Sequence, residues 1–240
     1  MTTTAYWRPS SVAQALELLE RPGAVALAGG TRLGGERTHE EVEVVDLQAL
    51  DLAGFRAGAG DELTIGAMTT LQHLADGDGV PDVVREAARR EHPSTLRAQG
   101  TVGGCLATGH PESELLAALL VHEAVVHLRT RETTEAVPLA QVLADLPLPA
   151  ASLLTAVTIR TSGPAAVFRT ARTPADRAIV AAAARASDGG RLLALTGVAA
   201  TPVLVEPGAV PDPPGDFRGA GDYRRALAEV LLARAVEAIA

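Results

Sequence analysis

Two stretches of the chain set adjacent glycines beside a threonine, a combination that can hold an anion. The first is AGGTRLG, from Ala28 to Gly34, and it follows an apolar run. The second is TVGGCLATGHPESE, from Thr101 to Glu114, and it leads into an apolar helical pattern. Glycine has no Cβ, so consecutive backbone N–H groups can converge on one anion and a phosphate can come within hydrogen-bonding distance of the main chain. Threonine adds a hydroxyl donor. Two such loops on separate units predict a clamp for a diphosphate lying across a cleft, and the N-terminus of the helix after the second loop adds positive potential. Taken singly, each Gly-Gly pair also fits a plain reversal of the chain.

The side-chain inventory excludes most other chemistries. All 21 basic residues are arginine, which removes a P-loop lysine, a Schiff-base lysine and a kinase lysine together. Asparagine is equally absent, and a composition bias of the source genome accounts for both. Cys105 is the single cysteine, so this chain alone makes no disulfide, no CxxC zinc site and no iron–sulfur cluster. His122 and His127 enclose HEAVVH, one residue longer than a zinc-binding HExxH, which puts the two rings on different faces of a helix. Neither GxSxG nor GxGxxG occurs. No metal ligand set and no catalytic side chain is nominated.

The 240 residues are 47% hydrophobic and 21% charged, ordinary values for a folded chain and far from the disordered regime. A formal charge of −8 and a pI near 5.3 leave no basic field for nucleic acid or anionic lipid. No uninterrupted apolar run reaches the roughly 18 residues of a membrane span. The N-terminus lacks a charged segment followed by an apolar one, so a cytoplasmic location is expected.

The elements that must position the loops follow from periodicity. Val12, Leu16 and Leu19 recur at helical spacing between Ser10-Ser11 and Pro22-Gly23. AVALAGG and VEVVDL then read as strands, and the first fifty residues as a small β-α-β-β unit. A second unit begins after the glycines of 54–60, with a strand over 62–69, helices over 80–90 and 112–121, and strands over 124–129 and 152–160. The stretch 94–111 reads as a loop. After Ser162-Gly163-Pro164 a third unit is expected, with strands over 166–170 and 191–198, a helix over Ala175–Arg185, and a closing helix over 220–239. The proline-rich stretch 206–215 cannot be regular structure.

Four segments in order, AGGTRL, ELTIGAMTTLQHLAD, TLRAQGTVGGCLATGHPESELLAALLVHEAVVHL and FRTARTPADRAIVAAAA, resemble the FAD-binding subunit of the molybdenum hydroxylases. That family includes the medium subunit of carbon monoxide dehydrogenase and the flavin domain of xanthine dehydrogenase. The tail DFRGAGDYRRALAEVLLARAV is similar as well, so the resemblance spans nearly the whole chain. It implies an α+β protein: a two-lobed FAD-binding domain of the p-cresol methylhydroxylase type, with lobes at 1–53 and 54–162, and a small C-terminal domain at 163–240 whose antiparallel sheet packs on helices.

The same resemblance implies the site. FAD would lie extended between the lobes, its diphosphate held by Ala28, Gly29, Gly30, Thr31, Arg32 and Leu33 from one loop and by Thr101, Val102, Gly103, Gly104 and Cys105 from the other. Glu114 stands where the family carries an aspartate, placed to accept the hydroxyls of the adenosine ribose. Arg97 would support the second loop or the phosphates. Phe168, Arg172 and Asp176 fall in a family segment in which Asp176 is expected to cap a following helix. Only six aromatic residues exist to stack on the flavin ring: Tyr6, Trp7, Phe55, Phe168, Phe217 and Tyr223, and core packing is the expectation for most of them.

The implied function is an oxidoreductase subunit that passes electrons from a partner's iron–sulfur clusters through FAD to an external acceptor. Molybdopterin would sit on a large subunit and the clusters on a small one, in a dimer of heterotrimers. Two alternatives stay open. One is a non-catalytic assembly subunit with weak or no FAD binding. The other is a stand-alone flavin oxidoreductase, against which the short length argues.

Overall fold

The computed structural model describes residues 2–31 and 41–240. The first unit is β1 (Thr2–Trp7), α1 (Val12–Leu19), β2 (Ala24–Leu27) and β3 (Glu41–Asp46). Its three strands lie in the order β1-β3-β2 and all pair parallel. Parallel strands need a crossover between them, and α1 supplies the one from β1 to β2, which flank β3. Ser11 caps that helix by accepting the Gln14 N–H. Ala15, Leu16, Val45, Leu47 and Leu50 form a small core, which also takes in Leu153 of the second unit.

The second unit comprises β4 (Phe55–Ala57), β5 (Glu62–Gly66), α2 (Leu71–Asp76), α3 (Asp82–Glu91), α4 (Ser94–Arg97), α5 (Val102–Thr108), α6 (Glu114–Val121), β6 (Val125–Arg129), β7 (Thr134–Pro138), α7 (Leu139–Ala144) and β8 (Leu153–Arg160). Its strands form an antiparallel sheet in the order β4-β5-β8-β6-β7. All eight residues of α6 are buried. Seven of the eight are apolar, and a helix of that kind belongs inside a protein; α6 packs against α3 and against three strands of the third unit.

The third unit holds β9 (Ala165–Thr170), β10 (Val180–Ser187), β11 (Gly190–Thr196), β12 (Val203–Leu204) and α8 (Gly221–Ala238). Its antiparallel sheet runs β12-β11-β10-β9. Here one expectation is overturned. The segment 175–185 forms no helix, and its second half is the central strand β10. Alanine is the best helix former, yet Ala182 and Ala184 face the core beneath α8 while Ala183 faces the core around α6. A strand covered by a helix on both faces leaves little room at these alanine positions, and that burial overrides propensity. With no helix to cap, Asp176 pairs instead with Arg172 at 3.5 Å.

Candidate functional site

The first glycine turn leaves the end of β2, and Ala28, Gly29, Gly30 and Thr31 are all half-buried. Gly30 has φ +70°, a conformation that glycine adopts at no steric cost. Gly29 is glycine for another reason. A Cβ there would stand 1.8 Å from the Gln99 carbonyl oxygen and 3.2 Å from the Gly100 Cα. Gln99 and Gly100 immediately precede the second turn, so the two glycine turns abut, backbone on backbone. Arg32 and Leu33 lie outside the described residues.

The second turn is the first turn of a helix. Thr101 caps α5, its Oγ1 accepting the Gly104 N–H at 3.1 Å and its carbonyl the Cys105 N–H at 3.1 Å. The Val102 N–H donates to the Thr69 carbonyl at 3.0 Å and the Gly103 N–H to the Ala67 carbonyl at 2.8 Å. A Cβ on Gly103 would meet Ala67 at 2.9 Å, so the missing side chain lets α5 close against the segment that leads into α2. Stretch 94–111, expected as a loop, therefore holds two short helices. Gly-Gly lowers helix propensity, and the Thr101 cap and this close packing offset the loss.

Gly104 differs from its neighbour. Among the described residues, a Cβ there would meet only Thr101 Oγ1, at 3.1 Å. The hollow left by the absent methyl is the feature that fits a diphosphate against the main chain.

At the far end of the segment Ser113 caps α6, accepting the Leu116 N–H at 3.1 Å and donating to the buried Glu91 carboxylate at 2.8 Å. Glu114 follows as the first residue of the helix and is 4% exposed. One of its carboxylate oxygens lies 2.7 Å from Arg169 Nε and the other 3.5 Å from an Arg90 nitrogen. Burial pushes its carboxyl above the usual range, against the opposing pull of Arg169 and then Arg90. Arg97 hydrogen-bonds Gln72 at 3.1 Å and the carbonyls of Arg89 and His92 at 2.8 and 3.4 Å. These bonds brace the end of α3 and so the segment that carries Gln99. The Cys105 thiol is buried and its pKa pushed well up by that burial, which makes it inert.

Residues 2–161 match the model of a family described as the FAD binding domain in molybdopterin dehydrogenase. The chain belongs to that family. An uncharacterized protein of Escherichia coli K12, YgfM, is 33% identical over 95% of this chain and 93% of its own length. The carbon monoxide dehydrogenase medium chain of Afipia carboxidovorans is 31% identical, over 97% of this chain and 95% of that one. Among solved structures, a chain of the cyanide-inactivated Cu,Mo-CO dehydrogenase superposes with a TM-score of 0.87 at 28% identity, covering 99% of this chain and 97% of that one.

Membership in this FAD-binding family fits the contact between the turns. Of the residues nominated from sequence, Gly29 is joined to the base of the second turn, and Thr101 to Cys105 form one capped turn. Glu114 stands apart, held among arginines. The residues that sequence reading missed are those arginines, Arg90 and Arg169, and the buried Glu91 behind Ser113. Arg90 and Arg169 sit 24 residues before and 55 after Glu114, so no local spacing could have joined them. The third glycine of the GTVGG run, Gly100, was the available hint of a backbone contact. No helix among the described residues is long and apolar enough to cross a membrane.

Proposed function

We propose that this chain is the FAD-carrying electron-transfer subunit of a molybdenum hydroxylase of the carbon monoxide dehydrogenase type. The observation that carries the reading is the Gly29 contact with Gln99 and Gly100, which puts both glycine turns beside one another in a protein of this family. On this reading Ala28 to Leu33 and Thr101 to Cys105 hold the diphosphate, with Gly104 leaving it room and the Thr101 hydroxyl at its edge. Arg97 acts on the loop alone. Lobes at 1–53 and 54–162 flank the cofactor, and 163–240 is the third domain.

Bound FAD supplies a site that takes electrons from a donor and gives them to an acceptor. The chain's own residues fix its position. A single cysteine cannot hold an iron–sulfur cluster, so a small iron–sulfur subunit and a large molybdopterin subunit are assigned as partners, in a dimer of heterotrimers with an external acceptor. One observation favours a second reading, an assembly subunit without flavin: the Glu114 carboxylate, expected on ribose hydroxyls, is already held by Arg169 and Arg90.

An absorption spectrum of the purified chain, with acid release of any cofactor and a titration with FAD, separates the two. Flavin bands and release of FAD are expected. A colourless protein that takes up no added FAD would establish the assembly reading instead.

A further inference from the structure

The six aromatic residues divide by what they touch. Phe55 and Phe168 pack against the second and third cores. Tyr6 donates to Asp46, and Trp7 donates to Glu43 beneath the Arg21 guanidinium. Tyr223 lies over Gly219. Phe217 remains, 88% exposed. Its one ring contact among the described residues is the Arg218 guanidinium, 5.7 Å from the centroid.

Exposure of this kind is ordinary on a mobile loop, but this turn is anchored. Asp216 and Gly219 exchange backbone hydrogen bonds at 3.0 and 3.2 Å. One Asp216 carboxylate oxygen accepts the Arg218 N–H at 2.8 Å, and the other pairs with the buried Arg224 at 2.6 Å. From the opposite side, Arg218 is ion-paired to the buried Glu112 at 2.9 Å, a residue of the second glycine segment. The backbone that carries the phenyl ring is thus held in place, and among the described residues no apolar surface covers the ring.

It is held at the edge of a cavity of about 490 Å³ between the second glycine segment and the third unit. The charged groups lining it are matched: Arg177 with Glu91 at 3.3 Å, Arg172 with Asp176 at 3.5 Å, Arg218 with Glu112. Such a lining offers hydrogen bonds without calling for a net charge, and Phe217 offers the one flat apolar face. These suit a planar heterocycle whose edge bears N–H and C=O groups. The cavity wall at His110 begins just past the end of α5, whose first turn holds Gly104. Seven residues of helix span about 10 Å, the order of length of a ribityl arm.

We propose that Phe217 is the residue that stacks on the isoalloxazine ring of the bound FAD. This rests on the FAD reading above, which it deepens by naming the aromatic partner of the ring. The turn fixes the backbone that carries the phenyl group, so stacking has only the side-chain rotamer left to order.

The test is an FAD titration of the full chain, of Phe217→Ala and of Phe217→Trp, reading the dissociation constant and the visible circular dichroism of bound flavin. Far-UV spectra and Tm equal to the parent's are expected, since position 217 packs on no core. Phe217→Ala should weaken binding roughly three- to tenfold and collapse the visible dichroism. Phe217→Trp should restore both. An alanine variant that matches the parent in affinity and dichroism overturns the stacking assignment and leaves the FAD reading intact. A parent chain that takes up no FAD overturns both.

Discussion

Gly29 and Gly103 play the same part in two different turns, whereas Gly30 and Gly104 do not. At Gly29 and Gly103 the absent Cβ lets one segment close on another: β2's end on Gln99 in the first case, α5 on Ala67 in the second. Gly30 is required by its positive φ. Gly104 has helical backbone and an open side, so neither conformation nor packing within the described chain demands glycine there. The contrast teaches that adjacent glycines can answer different demands, one of packing and one that the fold itself does not impose. It also shows two ways of fixing a loop. The first turn is located by shape, through its abutment on Gln99. The second is located by hydrogen bonds, since its early amides donate to Thr69, Ala67 and its own Thr101 cap. Those donors are therefore committed within the fold, so the second turn presents open space and a hydroxyl and no nest of free early amides.

The largest effect is expected where shape alone holds the turn. Gly29→Val places a branched side chain where even a Cβ would overlap the Gln99 carbonyl, backbone that cannot rotate away. A loss of more than about 3 kcal/mol in folding free energy and of all FAD uptake is expected, read by thermal unfolding and flavin titration. Parental stability and uptake in this variant would mean that the turns can separate without consequence. A smaller effect is expected at the electrostatic end of the second segment. Glu114→Gln keeps the shape but removes the charge between Arg169 and Arg90. Breaking a buried pair costs about 3–5 kcal/mol, but Arg90 is one-third exposed and also pairs with Glu86 at 2.7 Å, so about 2 kcal/mol is expected in urea unfolding. Should FAD bind more tightly once the charge is gone, the arginines had been competing with the cofactor for Glu114.

How much of this was legible beforehand depends on whether a residue's environment is local. The run of seven apolar residues in α6, the helical register of α8 and the alternating β5 announce themselves in the sequence, and the α+β class follows from their order. The Gly-Gly loops were visible as residue types. Their abutment was not, because Gly29 and Gln99 are 70 positions apart and no pattern in either segment encodes the other. The alanines of β10 speak for a helix until α6 and α8 are known to cover both its faces. The same alanines make Asp176 look like the cap of a helix. The α5 helix was hidden by its two glycines, although Thr101 three residues before Gly104 is itself a capping signal. Phe217 is the converse case: its type and rarity are plain in the sequence, but only the Asp216, Arg224 and Glu112 contacts show that the turn carrying it is anchored.

The smallest effect on stability is the one that separates folding from binding most cleanly. Gly104→Ala puts a methyl into the open hollow at the start of α5. Helix propensity favours alanine over glycine by about 1 kcal/mol. Against that gain stands Thr101 Oγ1 at 3.1 Å, which must yield a few tenths of an ångström while still capping the helix. The two terms nearly cancel, so Tm is expected to stay within a few degrees of the parent's. If the diphosphate lies against this Cα, the methyl takes up the space it needs, and FAD affinity should fall roughly tenfold in a protein that is otherwise unchanged. Equal affinity at equal Tm would move the diphosphate off the second turn and onto the first alone. Since Gly29→Val cannot distinguish a lost fold from a lost site, the alanine at 104 is the substitution that decides whether both turns touch the cofactor.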